Sequence, residues 1–297
     1  MSTVKAVGRF APSPTGPLHF GSLISALASF LDIRSVGGHW MLRIEDIDPP
    51  REVLGASDVI LRQLCAHGLH WDGPVLYQSN RLAAYAAAIE HLKSKDLAYY
   101  CSCNRKRLST LNGIYDGLCR SLELISGETS VRIRLPSQPT LIGFYDHILG
   151  DYDQNITNYV GDFIIQRKDQ LFSYQLAVVL DDHYQGITNV MRGSDLVDST
   201  PRQIYLQRCL GYSQPQYAHI PIATNALGQK LSKQNCAASL KQGEESLTLW
   251  SALDWLQQSP PESLHNSSVN EIIEWAIAHW NSKKIKPSLS ISAPHGF

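Results

Sequence analysis

A histidine set among prolines and glycines, and a lysine pair far along the chain, are the first residues with chemistry to offer. The stretch "GRFAPSPTGPLHFGS", residues 8–22, is too rich in Pro and Gly for a strand or a helix. It falls between an apolar strand and a helical run. That is the turn where parallel sheets place ligands, and where the free N–H groups of a helix start favour phosphate. His19 stands just before the helix, placed to donate to a phosphate oxygen. Gly16 and Gly21 leave room for close backbone approach. The second stretch, "GQKLSKQN" (228–235), is a polar loop after a strand. Its Lys230 and Lys233 lie three apart, so a tight turn can bring both to one anion. The first stretch alone fits an ordinary Pro/Gly loop as well as a phosphate site, and the second alone reads as a solvated basic loop; the two together read as a phosphate site.

A third group is the cysteine run "CSCNRKRLSTLNGIYDGLCRS". Cys101 and Cys103 form C-x-C, and Tyr115 and Cys119 are four apart, sharing a face if the segment is helical. Clustered cysteines in a reducing compartment suggest metal more than disulfide. Three thiolates and one further ligand make the closed tetrahedral site of a structural Zn2+. Zinc chemistry alone prefers a histidine such as His147 as the fourth ligand. Cys65, Cys209 and Cys236 are isolated and read as small apolar residues.

These groups need a frame. Residues 4–10 read as a buried strand, and 23–36 as a helix with Ser22 as N-cap and Gly37–Gly38 at its end. Residues 39–46 alternate, with Trp40, Leu42 and Ile44 on one face and Arg43 and Glu45 on the other. Strand, helix, strand in so short a span is a βαβ unit, hence a parallel sheet. Helices are expected at 52–67, 80–95, 246–258 and 269–281, and a strand in "YAHIPIAT". The tail "KPSLSISAPHGF" is expected to be loose. Arg43 and Glu45 taken alone read as a strand-surface ion pair, and Asp46, Asp48, Asp181 and Asp182 as short-range caps and loop anchors.

The net charge of −1 gives no global field for nucleic acid, so RNA contacts need local cations, for which Lys230, Arg202, Arg208 and Lys241 are candidates. No apolar run reaches membrane-spanning length, so no membrane partner is expected. The start "MSTVKAVGRF" lacks a signal-peptide layout, so the cytoplasm is the expected location. A monomer is the expected state.

The ordered set of motifs resembles the glutamate-specific class I aminoacyl-tRNA synthetases. "PSPTGPLHFGS" is similar to their HIGH-type signature and "KLSKQ" to their KMSKS-type loop. "LRIEDIDPPR", "YQSNR", "AYYCSC" and "YQLAVVLDDHYQGITNVMRGSDL" follow the family in order. The resemblance covers about residues 5 to 240. It implies an α/β fold with a Rossmann-type doubly wound parallel sheet. Residues 1–97 and 151–215 would form its halves, 98–150 a zinc-bearing, acceptor-type insertion, and 216–297 the lysine loop and a short helical region. It also implies ATP with Mg2+, faced by Pro12, Gly16, His19, Gly21, Ser22, Lys230 and Lys233, with His19 and Lys233 catalytic.

Free glutamate carries two carboxylates and one ammonium. Arg9, at the end of strand one, suits a carboxylate bidentately, and Glu45, at the end of strand two, suits the ammonium. Ser13 offers a hydrogen bond, and by resemblance Tyr174 and Arg192 complete the pocket. Val178 stands where the discriminating enzymes commonly carry a polar residue, which puts the amino-acid pose in question. By resemblance, too, the fourth zinc ligand is Tyr115. Little chain follows Lys233, whereas a discriminating enzyme continues into a helical anticodon-reading domain. The chain therefore resembles the shortened members of the family, which attach glutamate to queuosine in tRNA(Asp). The alternatives are a shortened synthetase charging a tRNA 3′ end, a small-molecule nucleotidyltransferase, and a non-catalytic paralogue.

Overall fold

The computed structural model describes residues 5–111, 113–231 and 238–294. The chain begins with β1 (Val7–Phe10), α1 (Phe20–Arg34), β2 (His39–Ile44), α2 (Ala56–Ala66), β3 (Leu76–Tyr77) and α3 (Leu82–Ser94). Then come β4 (Ala98–Cys101), α4 (Arg105–Leu108), β5 (Ser130–Ile133), β6 (Leu141–Asp146), β7 (Gly150–Asn155), α5 (Ile156–Tyr159) and β8 (Ile164–Gln166). The rest is α6 (Tyr174–Tyr184), β9 (Asn189–Gly193), α7 (Thr200–Leu210), β10 (Gln216–Ile220), β11 (Ile222–Thr224), α8 (Glu245–Trp255), α9 (Val269–His279) and β12 (Ser290–Ser292).

β1, β2 and β3 pair in parallel, as do β6, β10 and β9, with β7 antiparallel on the outer edge of β6. The two sets meet where β1 lies beside β9. Thr188 N–H donates to Val7 O (2.9 Å), and Val7 N–H donates to Thr188 Oγ1 (2.9 Å). The chain thus moves outward from β1 through β3, crosses to lay β6 and β7 at the far edge, and returns to set β9 beside β1 and β10 between β9 and β6, so that the winding turns at the β1/β9 seam. That is the switch point of a doubly wound sheet, where a crevice opens beyond the strand ends.

Alternate strand residues feed opposite faces. Trp40, Leu42, Met191 and Ala218 join one core with α1, α8 and α9. Met41, Val190 and Tyr217 pack with α3, α6 and α7 in a second. Gly8 permits the first of these packings, because a Cβ there would lie 2.4 Å from Ile33 Cγ1 of α1.

Helix α1 starts earlier than its apolar spacing suggests. Its N-cap is His19, not Ser22. Ser22 is the third helical residue and closes a capping box: its Oγ accepts His19 N–H (2.8 Å), and its own N–H donates to His19 Nδ1 (3.3 Å). The tail is not loose throughout, since β12 pairs in parallel with β11 and Trp255 Nε1 donates to Ser292 O (2.9 Å). Strand pairing also interleaves across residue 150. β4, β5 and β8 form a separate antiparallel sheet, while β6 belongs to the main one.

Candidate active site and cysteine cluster

The side-chain period of two explains how the crevice is charged. Arg9 of β1, Arg43 and Glu45 at the end of β2, Arg192 of β9 and His219 of β10 share the parity of residues facing α6 and α7. The expected separation of Arg43 and Glu45 from the Trp40 face is therefore right, but their face is not a surface. α6 covers it, so Arg43 is fully buried.

Asp182 of α6 supplies the compensating charge, accepting from Arg9 Nε (3.2 Å) and Arg43 Nη1 (2.8 Å). Arg43 Nη2 also reaches Glu45 (3.3 Å), and Nη1 reaches Gln185 (2.9 Å). Burial would raise the Asp182 carboxyl, but Arg9 and Arg43 hold it below the usual carboxylate range. At Glu45 burial wins over both arginines and pushes its pKa up.

On the β9 side, Arg192 donates from Nε to His219 Nε2 (3.0 Å), from Nη1 to Tyr174 Oη (3.3 Å) and from Nη2 to Thr200 Oγ1 (2.8 Å). His219 Nδ1 lies 2.5 Å from Asp146. Burial pushes the Tyr174 hydroxyl up. The crevice thus holds three arginines, Arg9, Arg43 and Arg192, each fixed by hydrogen bonds, with Asp182, whose pKa is lowered, Glu45, whose pKa is raised, and one tyrosine. Ser13 lies on the exposed part of the loop, and among the described residues its hydroxyl bonds to none of these groups. Val178 is buried in the α6 core.

The proline-glycine loop is tied to the crevice by its backbone. Pro12 O accepts Glu45 N–H (3.0 Å), Pro14 O accepts Val53 N–H (2.9 Å), and Leu18 N–H donates to Gln63 (2.7 Å). Gly16 sits at φ +132°, a conformation strained for any residue with a Cβ. Because His19 Nδ1 accepts at the cap, a neutral ring carries its proton on Nε2. Leu231, Ser239 and Leu240, described residues on either side of residues 232–237, lie against this loop. Ser239 bridges to His19, Leu240 N–H donates to Leu18 O (3.0 Å), and Leu231 O is 3.7 Å from where a Cβ on Gly21 would stand. Lys230 pairs with Asp195 (2.5 Å). Lys233 lies outside the described residues.

Sequence reasoning missed Asp182, Asp146, His219 and Thr200, and took Arg43 for a surface residue. Asp181 and Asp182 are not short-range caps. Asp181 gathers Gln78 (2.8 Å), Arg81 (3.1 Å) and Tyr85 (2.6 Å) from the far side of the chain. The available signal was a polar residue inside a fully buried strand, as His219 is in "YAHI".

The Cys101, Cys103 and Cys119 sulfurs lie within 4.8 Å of one another, with Cys103 and Cys119 at 3.6 Å. Tyr115 Oη is 3.4 Å from Cys101 and 3.5 Å from Cys103. A tetrahedral zinc with ordinary bond lengths places sulfurs about 3.8 Å apart and an oxygen about 3.5 Å from sulfur. The donor set therefore fits the ion in chemistry and in spacing. Tyr115 and Cys119 do not share a helix. Tyr115 bridges to Gly161, and a 3-10 turn begins only at Leu118, so the intervening turn brings them together. Cys119 N–H donates to Tyr115 Oη (3.0 Å). Burial would raise the Cys101 thiol, but Tyr115 and Arg132 lower it to about 7. His147 is elsewhere, lining a cavity of about 110 Å³ with Asp32, Asn189 and Gln216.

A doubly wound parallel sheet with a histidine-capped helix at its switch point is the α/β fold of the class I synthetases. Residues 5–254 match the family described as tRNA synthetases class I (E and Q), catalytic domain. The chain belongs to that family, and within it to the group of its glutamyl-Q tRNA(Asp) synthetase relatives; it is a ligase of the class I aminoacyl-tRNA synthetase type. A protein of Pseudomonas fluorescens named Glutamyl-Q tRNA(Asp) synthetase is 48% identical over 285 residues, 96% of this chain and 95% of its own length. One of the same name from Thiobacillus denitrificans is 48% identical over 99% of both chains. The crystal structure of glutamate-tRNA synthetase from Elizabethkingia anophelis superposes with a TM-score of 0.80 at 26% identity, covering 98% of this chain and 68% of that one. Among the described residues, no helix is long and apolar enough to cross a membrane.

Proposed function

We propose that this protein activates L-glutamate with ATP and transfers the glutamyl group to queuosine in the anticodon loop of tRNA(Asp), in the cytoplasm. The observation that carries the first half is the crevice at the β1/β9 switch point. There Arg9 and Arg192 suit the two carboxylates of glutamate, and Glu45 suits its ammonium. Tyr174 orients Arg192. The substrate carboxylate is itself the nucleophile, attacking the α-phosphorus while pyrophosphate leaves, so no enzyme nucleophile is needed. Catalysis is then positioning plus stabilisation of charge on the phosphates. His19, through Nε2–H, and the α1 N-terminus serve the α-phosphate, and Lys233 serves the charge that develops in the transition state. Mg2+ accompanies the ATP phosphates.

Transfer to the nucleoside releases AMP. The queuosine target is supported by the name and matching extent of the relatives that are 48% identical. Cys101, Cys103, Cys119 and Tyr115 would hold one zinc, which pins the insertion and takes no part in the reaction. The test is incubation with labelled glutamate, ATP and bulk tRNA, followed by nuclease mapping of the label. Label in the anticodon loop of tRNA(Asp), absent when the tRNA comes from cells unable to make queuosine, is the expected result. Label on the 3′ adenosine would instead make this a shortened glutamyl-tRNA synthetase.

A further inference from the structure

The turn that sends Thr200 into the glutamate crevice also builds a second cavity. Thr200 Oγ1 binds Arg192, while Asp198 and Arg202 on either side of it line a space of about 400 Å³ together with Gln154 of β7 and Tyr159 of α5. That volume lies in the range of small-ligand sites. Its polar groups are of both signs and incompletely matched. Arg202 Nη2 reaches the Asp198 carbonyl (3.3 Å), but Arg202 has no carboxylate within ion-pair distance among the described residues. Asp198 accepts the Tyr152 hydroxyl (2.5 Å). Arg202 Nε and Gln154 Oε1 are buried without a hydrogen-bond partner. Burial also holds the Arg202 guanidinium below its ordinary value, against the pull of Asp198. At the rim, Tyr159 is 74% exposed.

A free phosphate would meet Asp198 as a like charge. A nucleobase edge instead offers donors and acceptors side by side without net charge, and its face stacks on an aromatic ring. We propose that this cavity holds one unstacked base of the RNA substrate, its edge between Arg202 and Asp198 and its face against Tyr159. The proposal rests on the reading that the protein acts on tRNA. It adds a place where one nucleotide is gripped outside the glutamate crevice.

Binding of fluorescein-labelled, queuosine-containing tRNA(Asp) is followed by anisotropy across a salt series, with circular dichroism as the folding check. Arg202→Ala and Asp198→Ala each weaken binding about five- to a hundredfold. Tyr159→Ala does so by a similar stacking factor, and its exposed side chain can be removed without unfolding the chain. The slope of log affinity against log salt stays that of the parent protein, since no phosphate contact is lost. Unchanged affinity in Tyr159→Ala, or tighter binding in Asp198→Ala, overturns the proposal. So does a slope shallower by about 0.7 to 0.9 in Arg202→Ala, which would make Arg202 a phosphate contact. Transfer of labelled glutamate to the same tRNA by the parent protein is measured separately. Its failure removes the reading of the substrate, whereas intact transfer with unaffected variants removes only the base pocket.

Discussion

The crevice at the β1/β9 switch point and the cysteine cluster are both buried, polar and closely spaced, but they are assembled from different distances along the chain. Arg9 meets Asp182 across 173 residues, Arg43 meets it across 139, and His219 meets Asp146 across 73. In the cluster, Cys101 and Tyr115 are 14 residues apart and Cys103 and Cys119 are 16. A local cluster needs only one turn of chain and an ion to hold it. A network built across the molecule exists only when both halves of the sheet and the helix above them are in place. Damage to the first should stay local, and damage to the second should be felt by the whole fold.

Asp182→Ala is the harshest test of that contrast. It leaves Arg43 fully buried with Glu45 as its remaining acidic partner, and removes the acceptor of Arg9. Breaking one side of a buried ion pair costs about 3–5 kcal/mol. Urea denaturation should show a loss of that size, and isothermal titration should show weakened glutamate binding. A loss below about 1 kcal/mol, the range of surface pairs, would mean that the network is not structural.

The cluster should respond more narrowly. One zinc per chain is expected by metal analysis of protein purified without chelators. Tyr115→Phe should weaken zinc retention against a chelator by at least the tenfold to hundredfold typical of lost outer partners. Hydrogen exchange should then quicken in β4 and β5, while the strands that frame the crevice keep their protection. Unchanged zinc affinity would remove Tyr115 from the ligand set.

The same contrast decides what could be read from sequence. The cysteine cluster was legible because spacing along the chain carries it, although a turn and not a helix places Tyr115. The βαβ start and the placing of Arg9, Glu45 and His19 at its strand and helix ends were legible from local pattern, whereas Tyr174 and Arg192 came only from the resemblance; the structure gathers Arg9, Glu45, Tyr174 and Arg192 around one crevice. Asp182, His219 and Asp146 were not, since nothing local distinguishes a carboxylate that caps its own helix from one that neutralises two arginines from other strands. Ser22 was misplaced for a related reason. Serine is a common cap, and only the loop geometry shows that histidine takes the position here.

The smallest expected effect lies at the far end of the network, in its response to pH. His219 Nε2 accepts from Arg192, so Nδ1 carries the proton and donates to Asp146. Burial, with help from Arg192 and Arg9, pushes the His219 pKa below 6.5 against the pull of Asp146. In the unfolded chain the ring titrates near its ordinary value of about 6.5. Between those two values the unfolded state binds a proton that the folded state refuses. Stability is therefore fully present above pH about 6.5 and falls as the pH drops toward the folded pKa, by about 1.4 kcal/mol for each unit of depression. Protonation would also set an N–H against Arg192 Nε–H and turn the guanidinium from its place beside Tyr174, so glutamate should bind more weakly in the same window. His67, also buried and also depressed, contributes a slope of the same sign but is not part of the crevice. His219→Gln separates the two, because an amide can accept from Arg192 and donate to Asp146 without titrating. Urea midpoints and glutamate affinity compared between about pH 5 and pH 7 should lose their pH dependence in part for stability and almost wholly for binding. If His219→Gln keeps the parent's pH dependence of glutamate affinity, the histidine is not what orients Arg192.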